Sequence, residues 1–357
     1  MSIGERVKSA RLMAGLSQRD LADAAEVSAM AISKYERDLD IPGSAVLLRL
    51  SKALGIKIEY FFRPTTVMLS MPTYRKSASL PALQEASILE RVQDWLERYL
   101  DVEILLEREA AFLLPAPKHI ESMEDIENAA LALREQWQLG LGPFEGLTEV
   151  CEEHGIKVGL VKGHTDFDAL TLQANNNIPV IVLHNDMPGD RQRFCLAHEL
   201  GHLILEPAKH IDAEKAAHRF AGALLAPRPA VELELGTKRQ TIGLYELHLL
   251  KHKYGLSMQA WIYRAKDLGI LSEATAAQMF KRFRQQGWQR EEPGDALPPE
   301  MPQRFERLVL HALCEGIISQ ARAAELLAVP LDQFLGGEVE RHGGFPFEMC
   351  GWVHSGF

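Results

Sequence analysis

The residue pattern of this 357-residue chain predicts a mostly helical α+β protein: an all-helical N-terminal domain, a middle region of helices around a small antiparallel sheet, and a helical C-terminal region. Three observations carry that expectation. Gly4 to Phe62 divides into about five short segments with apolar residues at helical spacing and capping residues between them. Ile156 to Leu183 contains three apolar runs punctuated by polar turns, as hairpin strands do. Most of the remaining chain repeats its apolar residues every three or four positions. A content of 46% hydrophobic and 25% charged residues supports packed cores and excludes wholesale disorder. No apolar run approaches the ~20 residues of a bilayer-crossing helix, and Met1 to Arg11 lacks the apolar core of a secretory leader, so a cytoplasmic protein without membrane attachment is expected. Cys151, Cys195, Cys314 and Cys350 form no CxxC pair, which predicts reduced thiols rather than a disulfide framework or a thiolate zinc knuckle.

In the N-terminal domain, Gly15-Leu16-Ser17-Gln18 stops one helix and starts the next, with Ser17 as N-cap and Leu21, Ala22 and Ala25 as the buried side. Ser28 caps a third helix, Ala29 to Arg37, with Ile32 and Tyr35 inward and Met30, Ser33 and Lys34 outward. Leu47, Leu48, Leu50, Leu54 and Ile56 supply the rest of a small core. Residues 1–65 carry ten Lys or Arg against eight Asp or Glu, a surplus of +2 on a chain of net charge −10. Such asymmetry fits a small nucleic-acid-facing module on an acidic body.

This stretch resembles the phage-repressor-like (XRE) helix-turn-helix family through Gly-Leu-Ser-Gln-x-x-Leu-Ala at 15–22, Val-Ser-x-x-x-Ile-Ser-x-Tyr-Glu at 27–36 and Leu-x-x-Leu-x-x-Ala-Leu-Gly-Ile at 47–56. The resemblance implies that Gln18 touches the DNA backbone or a base edge. It makes double-stranded DNA the partner, with Ala29, Met30, Ser33 and Lys34 on the helix that enters the major groove and Ser28 at its cap. Ala29, Met30 and Ala31 offer no bidentate hydrogen bonds, so readout leans on thymine methyl contact and phosphate anchoring.

Pro64 to Lys76 reads as an exit loop, and Leu80 to Leu114 as a long amphipathic helix closed by Leu114-Pro115-Ala116-Pro117. Its stripe of Leu89, Val92, Trp95, Leu96, Tyr99 and Leu100 fits either an interdomain strut or a homodimer seam, and both readings stay open. Helices are expected at Met123–Trp137 and Leu147–Glu153, then strands at Ile156–Val161, Ala169–Ala174 and Ile178–Leu183, with Asn175 to Asn177 as a turn. An edge strand in this sheet would let an extended polypeptide pair with it.

The chemistry-bearing segment is His198-Glu199-Leu200-Gly201-His202, flanked by Leu196, Ala197, Leu203 and Ile204. Two histidines four residues apart share a helical face and reach one ion, while Glu199 sits beside them to take a proton from water. In a mostly buried helix each of these polar groups needs a partner, and a metal is the simplest common one. The spacing therefore points to zinc-dependent peptide hydrolysis, with Mn2+ or Fe2+ able to use the same donors. A hydrolytic site wants a third protein ligand. Glu214 is the choice, His210 and Asp212 are rivals, and His218 one turn on could support the ligands or polarise substrate. Tyr245, His248 and Tyr263 receive no role.

Here the chain resembles the ImmA/IrrE family of zinc metallopeptidases, through Arg-Gln-Arg-Phe-x-x-Ala-His-Glu-Leu-Gly-His-Leu at 191–203 and Glu-x-x-Ala-x-x-Phe-Ala-x-x-Leu-Leu-x-Pro at 214–227, over roughly Ala129 to Leu271. His218 stands where the family most often has Asn, and His184 follows a strand that commonly ends in Asn. The resemblance implies a zincin-like domain whose substrate is a repressor protein in a stress or mobile-element response. A chain with its own DNA-binding domain could instead cut itself. The alternative is a non-proteolytic transcription factor whose metallopeptidase-like domain senses a ligand, metal or partner.

Leu256 to Leu271, Ala274 to Gln286, Phe305 to Glu315 and Ser319 to Leu327 read as helices, and Ala323 to Val329 as part of a structural hairpin rather than a second DNA reader. The expected divisions are 1–65 for the helix-turn-helix domain, 66–118 for a helical linker, 119–272 for the zincin-like domain, 273–335 for the helical C-terminal region and 336–357 for a flexible tail containing Cys350.

Overall fold

The N-terminal domain consists of α1 (Ile3–Met13), α2 (Gln18–Ala24), α3 (Ala29–Glu36), α4 (Ser44–Leu54) and a 3-10 turn at Ile58–Phe62. These helices begin where the side chains can satisfy the first free N–H groups: Ser2 and Ser17 form reciprocal capping boxes with Glu5 and Asp20, and Ser28 accepts from the Ala31 N–H. Val7, Leu21, Ile32, Leu47, Leu50 and Phe61 close around one another as a separate small core. The computed structural model describes residues 2–70, 73–74, 81–108, 114–161, 168–175 and 177–336, so the tail residues His342, Cys350 and His354 lie outside the described residues.

After β1 (Thr73–Tyr74) comes α5 (Ala82–Leu105), the long amphipathic helix, which is the strut of the molecule. Its stripe is shared among three neighbours. Ile88, Val92 and Leu96 pack on the sheet, and Tyr99 and Val102 pack on the C-terminal helices. Polar residues on α5 hold the N-terminal domain. The Arg6 guanidinium donates to Glu97 at 2.8 Å with both side chains 2% exposed, and the Ser9 hydroxyl donates to Glu90 at 2.5 Å. That apolar stripe packs within the chain, as the strut reading expects.

The middle region contains β2 (Lys118–Ile120), α6 (Met123–Gln136), α7 (Leu147–Glu153), β3 (Lys157–Val161), β4 (Ala169–Ala174), β5 (Ile178–His184), α8 (Gly189–Ile204), β6 (Leu205–Pro207) and α9 (Ala213–Leu225). Sheet order is β1-β4-β5-β3, antiparallel from β1 through β5, with β3 added parallel to β5. The antiparallel sheet expected from sequence thus gains a parallel member, because α7 leads into β3 from the same end of the sheet as β5. A two-stranded parallel pair, β2 with β6, was not foreseen. The sheet is covered on both faces: Leu170, Leu172, Val180 and Val182 meet α5, while Val158, Ala169, Ile181 and Leu183 meet Leu196, Ala197 and Leu200 of α8. Near-continuous apolar strands follow from that two-sided burial.

Helices α10 (Arg228–Leu235), α11 (Leu244–Tyr254), α12 (Met258–Asp267) and α13 (Glu273–Gln285) extend the main core, and α14 (Arg304–Cys314), α15 (Gln320–Leu326) and α16 (Leu331–Gly336) form the last cluster on α5. Ala323, Ala324 and Leu326 are buried there against Tyr99, as the structural hairpin reading expects. Among the thiols, Cys151 and Cys195 are buried.

Candidate metal centre and nucleic-acid interface

On α8, one turn places His198 and His202 on a common face, with Nε2 atoms 3.0 Å apart. The third group arrives from α9. Glu214 lies in its first turn, where Asp212 caps the helix by accepting from the Lys215 N–H at 3.0 Å. The two Glu214 oxygens stand 3.4 Å from His198 Nε2 and 3.4 Å from His202 Nε2. One ligand atom from each of the three residues falls within 4.8 Å of the others. Two imidazoles and a carboxylate converging on one point, with a buried His198 and a half-exposed Glu214, fit a borderline divalent ion that keeps one side open to solvent.

This convergence needs α8 and α9 to cross closely. A Cβ on Gly201 would lie 3.1 Å from Phe220 Cδ1 and 3.2 Å from Ala217 Cα, so glycine is what lets α9 approach at the turn between the histidines. Of the rival ligands, Asp212 is occupied in capping and His210 lies against the Glu121 carbonyl at 3.1 Å. His218 is carried onto the site: its ring meets His198 edge-on with centroids 4.5 Å apart, and its Nδ1 donates to the Glu214 carbonyl at 2.7 Å. His184 closes β5 at the far end of that strand, 4.0 Å from Asp186.

Glu199 is 1% exposed and accepts a hydrogen bond from the Thr171 hydroxyl on β4 at 2.7 Å. Sequence reasoning missed Thr171. A lone hydroxyl inside the apolar strand Ala169–Ala174 was the available signal, since a buried hydroxyl must find a partner. Also unforeseen is the strap formed by residues 291–302, which crosses the start of α8. The Gly189 N–H donates to the Leu297 carbonyl at 2.8 Å, a Cβ on Gly189 would meet the Pro298 carbonyl oxygen at 2.1 Å, and Gln192 pairs with both backbone groups of Glu300. Arg193 and the Glu300 carboxylate complete the tie. Tyr245 and Tyr263 are exposed on α11 and α12.

In the N-terminal domain, Met30 and Lys34 project from α3 into solvent, Ala29 and Ser33 are half-buried, and the Ser28 hydroxyl is used as the cap. Gln18 donates to Glu36 at 2.7 Å, and Glu36 in turn pairs with Arg11 at 2.5 Å, so α1, α2 and α3 are locked in their mutual angle by one buried carboxylate.

The N-terminal helices and the His-Glu helix α8 each have counterparts among known protein families. Residues 7–61 match the helix-turn-helix family, and residues 151–266 match the IrrE N-terminal-like domain of peptidase family M78. The chain is 37% identical over 60 residues to the HTH-type transcriptional regulator ImmR of Bacillus subtilis, covering 17% of this chain and 47% of that protein. It is 33% identical over 63 residues to an uncharacterized HTH-type transcriptional regulator of Sinorhizobium fredii (18% and 44%) and 35% identical over 60 residues to another of Rickettsia prowazekii (17% and 46%). The chain thus spans less than half the length of these relatives. The helix-turn-helix domain implies DNA binding, and among the described residues no helix is long and apolar enough to cross a membrane.

Proposed function

We propose that this chain is a DNA-binding transcriptional regulator whose second domain is a zinc-dependent endopeptidase, acting on a repressor or on itself in a stress or mobile-element response. The observation that carries the reading is the approach of His198, His202 and Glu214 around one point, with Glu199 fixed beside them by Thr171. Zinc suits the donor set, and Mn2+ or Fe2+ would use the same atoms. His198, His202 and Glu214 would hold a divalent ion, which when bound would supply Lewis acidity toward water and a peptide carbonyl. Glu199 takes the proton of the attacking water and hands it to the leaving amine. Thr171 holds that carboxylate in line, and His218 steadies the His198 ring.

On the DNA side, Lys34 anchors phosphate, Met30 and Ala29 offer apolar contact in the major groove, and Gln18, Ser28 and Ser33 supply polar contacts. A second reading, a regulator whose peptidase-like domain only senses a ligand, metal or partner, draws on the relatives being named as transcriptional regulators.

Full-length protein and its Glu199→Gln variant, metal-loaded, are to be incubated with co-expressed neighbouring repressors and alone, with cleavage read by intact mass. Metal content is measured in parallel for His198→Ala, His202→Ala and Glu214→Gln. Metal lost in those three but kept in Glu199→Gln, with fragments seen only when Glu199 is present, is the expected result. Metal retained without both histidines would overturn the site, and intact chains throughout would favour the sensor.

A further inference from the structure

We infer that the outer edge of β4 is the peptide-binding edge of the candidate cleft and that the chain's own linker, through residues 66–70 and 73–74, is its built-in occupant. The inference rests on the peptidase reading for its meaning, but the pairing it invokes is open to test without any cleavage.

Strand β4 is the member of the sheet that touches the proposed base, through Thr171 and Glu199 at 2.7 Å. Its other neighbour, β5, is antiparallel to it, so without β1 the strand would present one full row of backbone groups to solvent. Such an edge recruits any extended polypeptide. Here the linker takes that row. The Asn175 N–H donates to the Met68 carbonyl at 2.9 Å, and the Met68 N–H donates to the Asn175 side-chain oxygen at 2.9 Å. The Ser70 N–H donates to the Gln173 carbonyl at 2.8 Å, and the Ser70 hydroxyl accepts from the Gln173 N–H at 2.9 Å. Leu69 pairs with Ala174, and Thr73 pairs with Thr171, so the linker backbone draws level with the residue that holds Glu199.

Two features mark this as a displaceable occupant rather than a fixed strand. Among the described side chains of the segment, Val67 is buried in the apolar layer and Leu69 packs against it in part, while Met68 is 67% exposed. The linker is also an excursion: the domain before it is already docked on α5 through Arg6–Glu97, Ser9–Glu90 and Ser87–Met13. Lifting the linker off β4 therefore leaves both domains in place and changes only who holds the edge. The linker competes with an incoming extended polypeptide for the same backbone groups.

The test uses full-length protein and a Met68→Pro/Ser70→Pro variant, which removes both linker N–H donors at positions outside the core. The probe is a fluorescein-labelled synthetic peptide with the sequence of residues 66–76, titrated by anisotropy. With each lost pair worth about 0.5–1.5 kcal/mol, the variant is expected to bind the peptide roughly tenfold or more tightly than the parent. Amide exchange at Gln173 and Asn175 is expected to accelerate in the variant and to slow again with peptide, while Leu170 and Leu172, which face β5, stay protected. Equal affinities, or no binding by the variant, would overturn the inference. Competition seen in a protein that cuts nothing would leave it standing while the peptidase reading fails.

Discussion

Glu152 on α7 is 2% exposed, and its Oε2 accepts from the Gln303 N–H at 3.2 Å and the Arg304 N–H at 3.1 Å, at the start of α14. Burial dominates and pushes the carboxyl from 4.5 up to about 7, against those two donors and the nearby Arg307 and Arg304 charges. The unfolded chain ionises at the ordinary value, so the folded state holds an extra proton between the two. Stability is full below pH 4.5, falls as pH rises, and carries the whole penalty above about 7. Carrying a carboxyl from 4.5 to about 7 corresponds to roughly 3 kcal/mol at about 1.4 kcal/mol per pH unit. Glu152→Gln keeps an acceptor for both amides and removes the charge. Its NH2 group falls where Oε1 has no hydrogen-bond partner among the described residues, which offsets about 1 kcal/mol. The variant should therefore be more stable than the parent by about 2 kcal/mol at pH 8 and lose the slope between pH 4.5 and 7. Urea unfolding followed by tryptophan fluorescence at three pH values reads this directly. A variant less stable than the parent at pH 8 would refute the reasoning, because the α14 N-terminus would then outweigh burial.

Gly201→Val should cost about 1–3 kcal/mol of stability by crowding Phe220 and Ala217. Because it pushes α9 outward, it should also weaken metal affinity by about tenfold or more. Thermal melting of the metal-free chain and chelator competition separate the two effects, and unchanged affinity would show that the α8–α9 contact does not position Glu214. Lys34→Ala should weaken DNA binding at all sequences alike and lower the slope of log K against log salt by about one. Filter binding across a salt series measures it, and a loss confined to one operator would instead make Lys34 a base reader.

Features set by neighbours in the chain were legible in the sequence. Ser17 and Ser28 as caps, and the outward Met30 and Lys34, follow from helical spacing alone, because capping and amphipathicity act over three or four residues. The strand positions were equally visible, since two-sided burial leaves long apolar runs. The linker was not. Its strand character comes from β4, a partner some hundred residues away, and nothing local in Thr73 or Tyr74 announces it.

By itself the sequence determined that His198 and His202 would share a face with Glu199 beside them, because a helix repeats every 3.6 residues whatever surrounds it. Tertiary structure decided the rest of the centre. Glu214 rather than Asp212 lies beside the two histidines because α9 crosses α8 at Gly201, bringing its first turn rather than its cap to them. Thr171 came under Glu199 because β4 lies on α8, and the β4 edge was filled because the linker passes along it. Each of these depends on how separate elements pack, where distance along the chain carries no information about distance in space.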